Sequence, residues 1–234
     1  MVRLSLLLLI VAVLGCSGGA PTQHDSAQQD PAQQAMTAYQ QGDHAQAIEH
    51  FTQAIAKNPA NPAFYCNRGN SYSTLGRFDD ALQDYELAFE KSRALSSDPA
   101  DKRLAYIHYN RGVAYKRAKR IPEAIADFER AIQINPDYPD AHGECAWIWA
   151  THPDPSLRNP EKAVAYALAE MLRHGDAATI DTLAAAYAAS GDFAQAIQRQ
   201  EEAIQKLTPS DDRADYERRL QLYRENKPYI QPVE

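Results

Sequence analysis

Residues 65–72, Tyr-Cys-Asn-Arg-Gly-Asn-Ser-Tyr, return in shifted form at 109–115 as Tyr-Asn-Arg-Gly-Val-Ala-Tyr. The segment after each copy also returns: Ala81-Leu82-Gln-Asp84-Tyr85-Glu-Leu-Ala88 is echoed by Ala124-Ile125-Ala-Asp127-Phe128-Glu-Arg-Ala131. Each copy pairs a glycine with a later tyrosine, and then an alanine, an aromatic and a second alanine at helical spacing. Small side chains let two helices approach closely, and the aromatics fill the space between turns. A helix pair of this kind cannot bury its apolar face alone, so the repeats must stack on one another.

These segments resemble tetratricopeptide (TPR) repeats, antiparallel helix pairs of ~34 residues. The resemblance implies an all-α fold: a solenoid of about five helix-hairpin repeats over residues 31–234, closed by a capping helix. The first unit runs from Gly42-Asp43 through Ala47, Phe51, Ala54 and Pro59; the second carries Gly69, Tyr72, Gly76, Ala81, Tyr85 and Ala88. The second helix of that unit is predicted to run on to Ala94, before the Ser96-to-Pro99 break. The third unit has Gly112, Tyr115, Ala124, Phe128, Ala131 and Pro136. Ala146 and Trp149 hold the Gly and Tyr places of the fourth. In the fifth, with Ala184, Tyr187, Gly191-Asp192, Ala196 and Ala203, Gln200 stands where an aromatic is usual. An amphipathic helix near Asp211 to Glu225 would cap the stack with a polar outer face, as solenoids require.

Asp30-Pro31, Asn61-Pro62 and Tyr138-Pro139-Asp140 mark helix starts, because proline suits a first turn. Arg68 occurs with Asp84 and Arg111 with Asp127, whereas the first and fifth units lack both charges. This joint occurrence predicts an ion pair between the two helices of the second and third units, worth at most ~1 kcal/mol if exposed. The fourth unit departs from the pattern with a long Thr151-to-Pro160 connection. Its Ala146-to-Thr151 run, the later Ile180-Asp181-Thr182-Leu183 and the closing Lys227-Pro-Tyr229 resemble a bacterial TPR variant, which implies fold and origin but no chemistry.

The N-terminus reads separately. Arg3 precedes an apolar run, Leu4 to Leu14, that is broken only by Ser5. It is too short to span a bilayer, which takes ~20 residues, and suits the apolar region of a secretory signal. Val13-Leu14-Gly15-Cys16 resembles a bacterial lipobox, which implies a signal peptide over 1–15, acylation of Cys16 and a lipid anchor in the cell envelope. Ser17 after the cysteine favours the outer membrane facing the periplasm over the inner one. Residues 16–30 are rich in Gly, Gln, Ser, Ala and Pro and read as a flexible tether.

A net charge of −7 argues against nucleic acid, whose phosphates need a basic surface. No Ser-His-Asp order, glycine-rich phosphate loop or paired carboxylate points to catalysis. His142 and Cys145 lie three apart on a helix, but no second such pair completes a zinc set, so neither metal nor cofactor is expected. Cys66 and Cys145, two repeats apart, are predicted to lie beyond disulfide reach.

The TPR resemblance implies that the first helix of each unit lines a concave groove that holds a protein or peptide partner. The groove positions with the strongest anchoring chemistry are Asn70, Tyr106, Tyr109, Asn110, Lys116, Arg117 and Trp147, since Tyr, Trp and Arg dominate interface energies. The carboxylate clamp of chaperone-binding TPR domains is disfavoured: Cys66 stands at its first basic position, and Asp140 and Glu144 at its last two. Two other roles fit the same sequence: self-association as a structural envelope lipoprotein, or an accessory subunit holding a small ligand near Trp147 and Trp149.

Overall fold

The computed structural model describes residues 30–209 and 211–232, so Cys16 and the signal and tether segments lie outside the described residues. Among the described residues there are eleven α-helices, one 3-10 turn at Pro155–Leu157 and no strand. The helices form five consecutive hairpins. They are α1 (Pro31–Gln40) with α2 (His44–Lys57), α3 (Pro62–Thr74) with α4 (Phe78–Leu95), and α5 (Lys102–Arg117) with α6 (Ile121–Ile134). Next come α7 (Ala141–Thr151) with α8 (Pro160–Arg173) and α9 (Ala177–Ala189) with α10 (Phe193–Gln205). The cap, α11 (Arg213–Arg224), packs on α10. The second helix of each hairpin packs on the first helix of the next, and α3 also meets α5, as α7 meets α9. Contact between first helices curves the array toward them, which puts α1, α3, α5, α7 and α9 on its inner face.

The turns inside four hairpins share one device, a left-handed residue two places before the second helix. Gly42, Gly76 and Gly191 have φ of 78°, 75° and 85°, and in the third unit Lys119 takes the same place with φ 60°. Asp43 and Asp192 follow their glycines and cap α2 and α10, accepting from the Gln46 and Gln195 amides. Pro31 and Pro62 do open α1 and α3. Pro139, in contrast, lies ahead of α7, whose N-cap is Asp140 in the left-handed region at φ 63°.

Burial follows the repeat. Ala47, Ala81, Ala124, Ala163 and Ala196, one per hairpin, are fully inaccessible at the helix-helix contact. Phe51, Tyr85 and Phe128 fill the aromatic place one turn later. The last two units change this place. Ala167 takes it in α8, and the buried Gln200 takes it in α10, where its amide donates to Asp181 Oδ1 at 2.7 Å. In α8 the buried Glu170 also replaces the closing alanine, opposite Gly143, where a Cβ would come within 3.4 Å of its Cγ.

Both predicted ion pairs form, and both are bidentate. Arg68 Nε and Nη2 donate to Asp84 at 2.8 and 2.7 Å, and Arg111 Nε and Nη2 donate to Asp127 at 2.7 and 2.9 Å. They are more enclosed than the exposed case anticipated, since both carboxylates are buried. Burial raises the Asp84 carboxyl, and the Arg68 hydrogen bonds offset only part of that rise. Burial likewise pushes Asp127 up, but hydrogen bonds from Arg111 and His108 outweigh it and hold that carboxyl below its ordinary value.

Candidate partner-binding groove

The predicted groove residues divide into an open set and a covered set. Tyr106, on α5, is 39% exposed, and its hydroxyl donates to Asn67 Oδ1 on α3 at 3.1 Å. Surrounding protein nevertheless raises its phenol well above the ordinary value by burial, and burial also raises that of Tyr39 on α1. The ring thus has protein on several sides and water on the remaining one. Asn70 lies beneath it, 9% exposed, accepting from the Tyr85 hydroxyl at 2.7 Å and facing both Tyr39 and Tyr106. Arg117 is exposed at the rim and donates to Thr74 Oγ1 at 3.1 Å. Asn110 is half-buried and bonds back to the Tyr106 carbonyl at 2.7 Å, which uses one amide hydrogen and leaves its carbonyl oxygen as an acceptor.

Tyr109 and Lys116 are engaged within the array. The Tyr109 ring packs against Phe128 and Tyr138, with centroids 5.6 and 5.0 Å away, and burial raises its phenol further beside the Glu144 and Asp140 carboxylates. The Lys116 ammonium pairs with the Glu144 carboxylate of α7. Cys66, at the place a carboxylate clamp fills with a base, is buried, and burial pushes its thiol far up.

Trp147 belongs to the covered set. Its ring meets Tyr229 at 6.0 Å, with the Arg219 guanidinium 5.8 Å from its centroid. Trp149 is buried edge-on to Tyr166 at 5.0 Å. Asp181, on the inner helix α9, is buried and accepts from Arg219 Nε at 2.8 Å.

His142 and Cys145 are both buried, and the His142 ring packs against Tyr166. The predicted separation of Cys66 and Cys145 agrees with two free thiols. A triad the sequence does not signal lies near α7: donor atoms of Asp140, Glu170 and His174 fall within 4.8 Å of one another. Glu170 Oε1 accepts the Asp140 N–H at 3.2 Å and lies 3.3 Å from His174 Nε2, so this carboxylate closes the N-terminus of α7.

Comparison with known proteins places this geometry in a family. Tetratricopeptide repeat patterns match residues 62–93, 105–138 and 177–207, and a TPR repeat pattern matches 37–76. Among curated proteins, Hsp70-Hsp90 organizing protein 3 of Arabidopsis thaliana is 49% identical over 47 residues, which cover 20% of this chain and 8% of that protein. RNA polymerase II-associated protein 3 of Mus musculus is 30% identical over 106 residues, 45% of this chain and 15% of that protein. The chain therefore spans only a small part of either relative. Among solved structures, the C-terminal part of a TPR repeat-containing protein from Cytophaga hutchinsonii superposes with a TM-score of 0.62 at 18% identity, covering 82% of this chain and 70% of that one. The MamA protein gives 0.57 at 21% identity, over 75% of this chain and 89% of that one. These likenesses extend the fold across the whole array. With repeat patterns on four of its five hairpins and the same helical architecture throughout, the chain belongs to the tetratricopeptide-repeat family.

Proposed function

We propose that the protein is a non-catalytic scaffold that holds an extended segment of a protein partner against the inner face of its first three units. The observation that supports this reading most is Tyr106: a large aromatic fixed by Asn67 and open to water on the inner face, with Asn70 beneath it and Arg117 exposed on the same helix. Rigid aromatics in a partly desolvated hollow provide anchor energy, and the flanking amides and guanidinium set register along a peptide backbone. Arg117 favours a partner with a carboxylate near that end, while the exposed Asp140 favours a basic or neutral one toward α7. The array is held to a bacterial membrane, the outer one facing the periplasm, through acylated Cys16.

The test compares wild type with Tyr106→Ala combined with Arg117→Glu, two changes at exposed positions. In-cell crosslinking and capture from envelope fractions is expected to recover a partner with wild type and lose it with the variant. Equal recovery by both proteins would remove the groove as the binding face. Cys16→Ser is expected to move the protein from the membrane pellet to the soluble fraction; unchanged processing and sedimentation would remove the anchor.

A further inference from the structure

The covered half of the inner face has an occupant, and the occupant is the chain itself. After α11 the backbone reverses at Asn226, with φ 55°, and the Lys227 amide donates back to the Leu222 carbonyl at 2.9 Å. Residues 227–232, Lys-Pro-Tyr-Ile-Gln-Pro, then run without regular structure across α7. The Gln231 amide donates to the Thr151 carbonyl at 2.8 Å, so the segment satisfies one of the carbonyls that the end of α7 leaves unpaired. The Tyr229 ring settles against Trp147 at 6.0 Å, with the guanidinium groups of Arg219 and Arg218 at 5.6 and 5.9 Å.

This is how a solenoid groove holds a foreign peptide: an extended backbone, one main-chain bond to the scaffold and one aromatic inserted between a ring and a cation. We propose that the surface formed by Trp147, Thr151 and Arg219 is a second peptide subsite of the groove. Its ligand class is an extended segment with an aromatic next to proline, and residues 227–232 are its resident occupant in cis. The inference deepens the groove reading above and rests on it.

Two features make the occupant displaceable. The Tyr229 side chain is half-buried, not sealed, and Lys227, Pro228 and Pro232 are exposed. The two prolines bring no amide hydrogen of their own, so little main-chain bonding must be broken on release. A segment joined directly to α11 acts at an effective concentration in the millimolar range, which hides the subsite from weak competitors. The apparent affinity for a ligand in trans falls by the fraction of molecules whose subsite is free.

The experiment titrates a fluorescent peptide of sequence Lys-Pro-Tyr-Ile-Gln-Pro into the full chain, read by anisotropy. Wild type is expected to bind it at least tenfold more weakly than Tyr229→Ala, whose own segment has lost its anchor. Adding Trp147→Ala to Tyr229→Ala is expected to abolish binding, and Tyr229→Phe is expected to behave as wild type. A second variant, Gln231→Pro, removes the amide hydrogen that bonds Thr151 and restricts the backbone at Ile230, while leaving the residues of α11 unchanged. It is expected to tighten binding in trans by about fivefold or more, one hydrogen bond being the least that is lost. Equal affinity for wild type and both release variants, or no binding to a Tyr229→Ala protein with native circular dichroism, would overturn the proposal. Residues 227–232 would then be a strut for α11. Partner capture through Tyr106 is read separately, so loss of either result leaves the other standing.

Discussion

Alanine at Gly112 tests whether close helix approach sets the repeat. A Cβ built there would lie 2.8 Å from Phe128 Cε1 and 2.9 Å from Cδ1, with the Ala124 carbonyl oxygen at 3.3 Å. Phe128 is fully buried and braced by Tyr109 at 5.6 Å, so the ring has nowhere to retreat without moving a second aromatic. Overpacking of this severity costs about 2–3 kcal/mol. Alanine recovers about 1 kcal/mol of helix propensity over glycine, so the net loss is about 1–2 kcal/mol. Gly69, the equivalent residue in the second unit, provides an internal control. Its Cβ would meet Tyr85 Cε1 and the Ala81 carbonyl at 3.2 Å and Asp84 Cβ at 3.3 Å, contacts that shifts of a few tenths of an ångström relieve. There the overpacking of about 1 kcal/mol and the propensity gain offset one another. Urea denaturation followed by circular dichroism should rank wild type and Gly69→Ala together and Gly112→Ala below them. The melting temperature of Gly112→Ala should fall by roughly 2–8 °C. A Gly112→Ala protein as stable as wild type, or a Gly69→Ala protein less stable than Gly112→Ala, would refute this packing account.

The two ion-pair carboxylates should separate in pH. Asp127 is held below its ordinary value, so its stabilisation is complete above about pH 4 and fades as pH falls through its folded value. Asp127→Asn is thus expected to cost about 2 kcal/mol at neutral pH, with the gap narrowing as acid protonates Asp127; a gap unchanged in acid would contradict the pairing. Asp84 is held above its ordinary value, so Asp84→Asn should cost less than Asp127→Asn at neutral pH in the same urea titrations. Cys66 and Cys145 are buried with thiols raised by burial, so iodoacetamide at about pH 8 should leave both unlabelled until urea opens the array. Peptide mapping that finds native Cys66 alkylated would show the groove floor to be open.

The fold was legible because its information is local and periodic. Gly69 and Gly112, the leading alanines of the second helices and the Arg68–Asp84 and Arg111–Asp127 pairs recur at near-constant spacing, and α4 ends at Leu95 beside the expected Ala94. Even the departure at Gln200 has a readable purpose in hindsight: its amide serves Asp181, and Arg219 of the cap completes that buried set. The groove was legible only as a list of positions. Whether Tyr106 stands open while Trp147 is covered depends on Asn67 and Tyr229, partners 39 and 82 residues away that no repeat spacing signals. Lys116 likewise looked like half of an exposed basic pair, and its engagement depends on Glu144 arriving from the next hairpin.

Among the described residues, the first hairpin's core cluster has four buried members, Ala35, Ala38, Ala47 and Phe51, with Tyr39 and Phe64 packed against it. In a stacked array each unit is stabilised by its own core and by its neighbours, so an uncapped terminal unit, with a neighbour on one side only, opens before the interior ones. Tyr39, which borders the open half of the groove, belongs to that hairpin. A ligand lying from Tyr39 to Tyr106 would therefore bridge the least protected unit to a better packed one. Its binding energy would appear as slowed amide exchange in α1 and α2, so occupancy of the groove becomes readable as the melting of one hairpin.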